Sequence, residues 1–137
     1  MRRPTRQQIR RPRSRDGIAV IELAVCLPLL VLILMGTIES CRMIQLKQNL
    51  TVTAYEGARV GTVPGSTAGS VLTQCELLLT DRGISNYQIA MSQNPTTLKP
   101  GDDFTVTVSA GCDANSLVGA VFYQGRTLSE SVVLRAQ

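Results

Sequence analysis

The sequence predicts an α+β fold: a long N-terminal helix, half membrane-spanning and half outward stem, packed on a small antiparallel sheet with one short extra helix. Three observations carry that expectation. Residues 18–38 are apolar over a bilayer's thickness; small and apolar residues then recur at spacings of three and four as far as Gly61; and two later segments alternate in polarity with a period of two.

Within residues 18–38 only Glu22 is charged, and a helix of roughly twenty residues, rising about 1.5 Å each, crosses about 30 Å of hydrocarbon once. Ahead of it stand Arg2, Arg3, Arg6, Arg10, Arg11, Arg13 and Arg15 against the single Asp16. By the positive-inside rule this arm stays cytoplasmic and the rest of the chain faces outward. Dividing the charge after Gly17 gives a leader of seven basic residues against one acidic, and a body of seven basic against nine acidic, so the pI of 9.2 reflects the leader. No patch of Lys and Arg with interleaved aromatics follows, and nucleic acid is not expected as a partner.

A carboxylate inside a spanning helix costs on the order of a few kcal/mol, less near the interface. Two readings of Glu22 stand: a side chain tolerated because it snorkels to the headgroups, or a buried ion pair with a cation from a neighbouring chain. The simplest such cation is an α-amino group freed by cleavage after Gly17. Pro28 falls within the run; membrane helices accommodate proline with a kink, expected here between Ala24 and Pro28. The segment has no A-x-A-like site where a secretory signal would be cut, so it reads as an anchor. Ile38-Glu39-Ser40-Cys41 is a poor lipoprotein box.

Gly17 followed by Ile18-Ala19-Val20-Ile21 and Glu22, after an Arg-rich leader, resembles the cleavage and recruitment motif of type IV prepilins and pseudopilins. Leu27-Pro28, Glu39-Ser40-Cys41-Arg42 and Tyr55-Glu56-Gly57-Ala58-Arg59 resemble the TadE-like pseudopilins of tight-adherence pili, and the likeness covers about residues 15–62. It implies that a membrane aspartic prepilin peptidase removes residues 1–17 by cutting between Gly17 and Ile18. It also implies that Glu22 recruits the subunit, and that the mature protein assists assembly of a thin Flp-type pilus as a minor component. Leu23 stands where related Flp-type sequences usually carry an aromatic, which weighs against a major pilin.

Beyond the membrane, Met43, Leu46, Leu50, Ala54, Gly57 and Gly61 form one stripe of a helical stem. Glu39 with Arg42 and Glu56 with Arg59 are i, i+3 pairs, each worth a few tenths of a kcal/mol when exposed. Gly61, Pro64-Gly65 and the following Ser, Thr and Gly residues end the helix. A short second helix starts near Ser70, with Leu72, Cys75, Leu78 and Leu79 on one face and Gly83 as its stop. Tyr87, Ile89 and Met91 read as one strand, and Phe104, Val106, Val108 and Ala110 as another. Lys99-Pro100-Gly101-Asp102 suits a type II turn, so Asp102 and Asp103 read as turn chemistry and not as a calcium site. Residues 118–123, Gln124-Gly125 and residues 128–134 read as a final hairpin with Leu128, Val132 and Leu134 inward; Glu130 shares that face and leaves the register open.

Cys26 falls within the bilayer and Cys41 at its edge, which leaves Cys75 and Cys112 as the candidate disulfide. A buried, unpaired Cys75 is the alternative. The absence of histidine removes the commonest general base and the usual catalytic triads, and there is no paired C-x-x-C, phosphate loop or nucleotide fingerprint. No enzymatic activity, metal or cofactor is expected. The expected organisation is a basic cytoplasmic leader (1–17), a transmembrane helix (18–38), a helical stem (39–62) and a small extracytoplasmic α+β domain (63–137). The expected function is that of a single-pass inner-membrane pseudopilin. Its partners would be the membrane, a prepilin peptidase, other pilins or pseudopilins and the assembly platform. The alternative is an unprocessed anchored binding module or a lipoprotein.

Overall fold

The computed structural model describes residues 15–136, with side chains from Gly17 onward; the first fourteen residues of the expected leader lie outside the described residues. Helix α1 runs Arg15–Gly61 with Pro28 inside it. The chain divides between Leu34 and Met35 into two compact units. In the first, every side chain from Gly17 to Leu34 is exposed, and the helix is long and apolar enough to cross a membrane.

In the second unit α1 presents one buried stripe. Glu39, Met43, Leu46, Leu50, Thr53, Ala54, Gly57, Ala58 and Gly61 are all buried; their spacings of three, four and one keep them on one side of a 3.6-residue helix. The stripe is the one the sequence indicates, with Thr53 and Ala58 added and a carboxylate at its upstream end.

Helix α2 spans Ala68–Asp81, two residues earlier than expected. Its start is a reciprocal cap: Thr67 Oγ1 accepts from the Ser70 N–H at 3.2 Å, and Ser70 Oγ accepts from the Thr67 N–H at 3.1 Å. Its stop is as the sequence indicates. Gly83 takes φ +65°, the Ile84 N–H returns to Leu79 O and the Gly83 N–H to Thr80 O, which satisfies carbonyls at the end of the helix. The buried face is Val71, Cys75 and Leu79, with Leu72 and Leu78 only half-buried. The face is rotated by about one position because Val71 and Cys75 pack against Gly57.

Strands β1 (Tyr87–Met91), β2 (Asp103–Gly111) and β3 (Thr127–Arg135) form one antiparallel sheet in the order β1-β2-β3. Phe104, Val106, Val108 and Ala110 are fully or almost fully buried along the central strand, while the residues between them are only half-buried or exposed, as the period of two requires. The turn before β2 forms as expected, with Gly101 at φ +94° and the Asp102 N–H donating to Lys99 O at 3.0 Å. Asp102 Oδ2 accepts from the Lys99 N–H at 2.9 Å, so this carboxylate is engaged in the turn.

The final hairpin does not form. After β2 the chain makes the one-turn helix α3 (Cys112–Asn115), then a loop to Arg126, and β3 pairs directly with β2. Residues 118–123 have strand-like composition, but Gly119 and Ala120 take φ +91° and +55°, which interrupts any extended run. The register left open by sequence is settled by pairing: Val106 faces Val132, Val108 faces Glu130 and Ala110 faces Leu128. Glu130 therefore does share the inner face, where Lys47 Nζ on α1 meets its carboxylate at 3.4 Å.

Candidate functional site

The residues singled out by sequence fall into three groups. Gly17, Ile18 and Glu22 lie on α1 in the first unit, all exposed. Among the described residues Glu22 has no salt-bridge partner. It sits one helical turn beyond Ile18, on the same face.

The second group is Glu39 and Arg42, and the pair drawn from sequence is not made. Glu39 is 0% exposed and turns inward to the loop after α3. Its Oε1 accepts from the Ser116 hydroxyl at 3.3 Å and its Oε2 from the Phe122 N–H at 3.3 Å. Arg42 Nε donates instead to Asn115 O at 3.1 Å. A buried carboxylate must find donors or remain costly, and here the loop supplies them. Ser40 Oγ and the Tyr123 hydroxyl add a bond at 3.3 Å, so one turn of α1 holds both ends of the loop.

The loop is tied from within and at its base. Ser116 Oγ accepts from the Val118 N–H at 3.3 Å and the Ala120 N–H at 2.6 Å. Asp113 accepts from the Gly125 N–H at 3.0 and 3.1 Å, and the Cys112 N–H donates to Arg126 O at 2.8 Å. Asn115, 4% exposed, joins α3 to the chain before β1: Oδ1 takes the Ser85 N–H at 2.9 Å, and Nδ2 donates to Ser85 O and Gly111 O at 2.8 Å each. Sequence reasoning missed Asn115, Ser116 and Phe122. The available signal was the clustering of turn-forming residues at 113–116 together with Gly119 and Gly125.

The third group, Glu56, Gly57, Ala58 and Arg59, divides between two faces. Arg59 and Glu56 form the expected pair at 2.8 Å on the outer face. Gly57 and Ala58 lie in the core. A Cβ on Gly57 would stand 2.5 Å from Cys75 Sγ and 3.4 Å from Val106 Cγ1, so the missing side chain lets α2 and the sheet approach α1 together. Gly61 repeats the device one turn on, where a Cβ would overlap the Phe104 ring. Glycine here serves close packing at the cost of about 1 kcal/mol of helix propensity each.

The candidate disulfide is not made; Cys26, Cys41, Cys75 and Cys112 are all free. The Cys75 thiol points at α1, donating weakly to Thr53 O at 3.8 Å beside Gly57, whereas Cys112 caps the far end of β2. Burial, then the Glu76 carboxylate, pushes the Cys75 thiol up to about 11; burial, then Asp113, raises Cys112 as well. Among the described residues no group of three potential ligands converges on a point that could hold a metal.

These features divide α1 in two: an exposed apolar half, and a half whose small residues and buried carboxylate, Glu39, are covered by the rest of the second unit. No curated protein and no solved structure matches the chain. The family described as TadE-like protein does match, over residues 17–59, from the glycine of the expected cut to the last residue of the Glu56–Arg59 motif, so the likeness to that family lies along α1.

Proposed function

We propose that this protein is a minor pilin or pseudopilin in the biogenesis of Flp-type, tight-adherence pili or a related secretion machine. The TadE-like segment and the long apolar helix fit a membrane-anchored component of a Tad pilus system. In this reading it is a single-pass protein of the bacterial inner membrane, with its N-terminus cytoplasmic and residues 39–137 outside. Its role is structural and not catalytic.

Its one covalent event is performed on it. A prepilin peptidase hydrolyses the Gly17–Ile18 bond; water adds across the amide, leaving a carboxylate on Gly17 and an amine on Ile18. The Glu22 carboxylate of one subunit then pairs with the amine of a neighbour, an interaction strengthened by the low dielectric of the membrane.

The observation that carries this reading is the coincidence of the TadE-like match with a fully exposed apolar segment of α1, residues 18–34, whose one carboxylate, Glu22, has no salt-bridge partner among the described residues. Replacing Glu22 by Gln tests it in cells. The variant is expected to reach the membrane at the normal level yet reduce surface pili by more than about tenfold, the effect of losing about 1.4 kcal/mol or more of subunit coupling. Normal piliation would reject the recruitment role.

A further inference from the structure

Three large apolar side chains are exposed within six residues of the loop after α3: Leu117 at 69%, Val121 at 68% and Phe122 at 52%. The chain has only two phenylalanines; Phe104 is fully buried in the core, while the other is left half in the open. Nothing about the loop's chain path explains this, because its backbone is held by Glu39, Ser116 and Asp113.

The neighbours of these side chains do. The Phe122 ring lies against Gly36, where even a methyl group would meet it at 3.4 Å. Leu117 lines an open groove with Thr37, Ile38, Cys41 and Arg42. Positions 36–38 are the last turn of the apolar run, so Phe122 and Leu117 lie against the helix where it leaves hydrocarbon, and Val121 is exposed beside Phe122. The surrounding chemistry is that of a membrane boundary. Tyr123 bonds Ser40, and Arg126 stands 6.0 Å from the Tyr123 ring centre. Residues 116–126 contain no acidic side chain, and aromatic rings with nearby cations are the usual companions of headgroups.

We propose that the loop of residues 116–123 is a second membrane contact, in which Leu117, Val121 and Phe122 enter the boundary between headgroups and acyl chains. This rests on residues 18–38 spanning the bilayer, and lipid is the occupant because the patch adjoins residues 36–38, the outer turn of that span. Such insertion reaches about 5–10 Å below the headgroups.

The chain lacks tryptophan, so one introduced indole reports its own surroundings. Full-length Phe122→Trp, Val121→Trp and, as a control on the outer face of β3, Val133→Trp are each reconstituted into phosphatidylethanolamine–phosphatidylglycerol vesicles. Flotation reports anchoring, and brominated phosphatidylcholine in the same vesicles quenches nearby indoles. Val121 is exposed enough that its substitution leaves folding intact even where Phe122→Trp does not. The expected result is co-flotation of all three proteins and at least about twofold quenching of both loop variants by lipid brominated near the headgroup, with the β3 control unquenched. Co-flotation with unquenched loop indoles overturns the proposal while leaving the anchor intact, and points to a protein partner for the patch. Equal quenching of Val133→Trp also overturns it. Failure to float overturns the spanning reading and the proposal together.

Discussion

Adding one methyl group at Gly57 tests why the TadE-like motif holds a glycine inside a helix. Ala in place of Gly gains about 1 kcal/mol of helix propensity on its own. The new Cβ would stand 2.5 Å from Cys75 Sγ, with Val106 Cγ1 at 3.4 Å, and Cys75 is 0% exposed. The thiol must therefore move by about 1 Å to reach ordinary contact, in a core without slack; overpacking of this kind costs about 1–3 kcal/mol. The upper end applies because sheet and helix press from two sides, and the expected net loss is about 2 kcal/mol. Deleting the thiol relieves the clash. In urea unfolding of the full chain in detergent micelles, Gly57→Ala combined with Cys75→Ala should be more stable than the sum of the single effects by about 1–2 kcal/mol. A single Gly57→Ala variant stabilised by its propensity gain, or effects additive within about 0.5 kcal/mol, would refute the packing argument.

Two further expectations follow from buried groups. Glu39→Ala removes the acceptor for Ser116 and Phe122 and leaves a backbone donor unpaired; at the low end for bonds to a charged group this costs about 2–4 kcal/mol, and Glu39→Gln less, by the same unfolding assay. The Cys75 thiol is raised from 9.0 to about 11, so the folded state holds its proton to higher pH than the unfolded chain does. Its contribution is complete below about pH 9 and declines between about pH 9 and 11. The alkaline loss of stability should be shallower in Cys75→Ala than in the unaltered protein, and identical slopes would contradict the assignment.

Much of the fold was legible because it follows local periodicity. The stripe from Met43 to Gly61, the alternation in β1 and β2, the Pro100-Gly101 turn and the Gly83 stop each depend on residues near in sequence. What sequence did not disclose depends on distant partners. Glu39 reads as an exposed partner for Arg42 until the loop after α3 brings Ser116 and Phe122 to it. Residues 118–123 read as a strand because their composition is apolar, yet left-handed Gly119 and Ala120 and the Ser116 hydroxyl fold them into a loop. On α2, Cys75 and Leu79 are buried as the periodicity indicates, but Val71 takes the place of Leu72 and Leu78 because the face packs on the missing side chain at Gly57. For the site, the sequence marked Glu56–Arg59 as a motif, and the fold accounts for its order of residues: a charged pair outward, a glycine and an alanine inward.

The central claim is that Gly17–Ile18 is a processing junction, and the mass of the protein's N-terminal peptide in isolated membranes tests it most directly. The mature chain should begin at Ile18, bearing a free or methylated amine, in the presence of the peptidase, and should keep its N-terminal leader in the absence of the peptidase. A membrane-inserted protein that retains Met1 while pili assemble normally would contradict it.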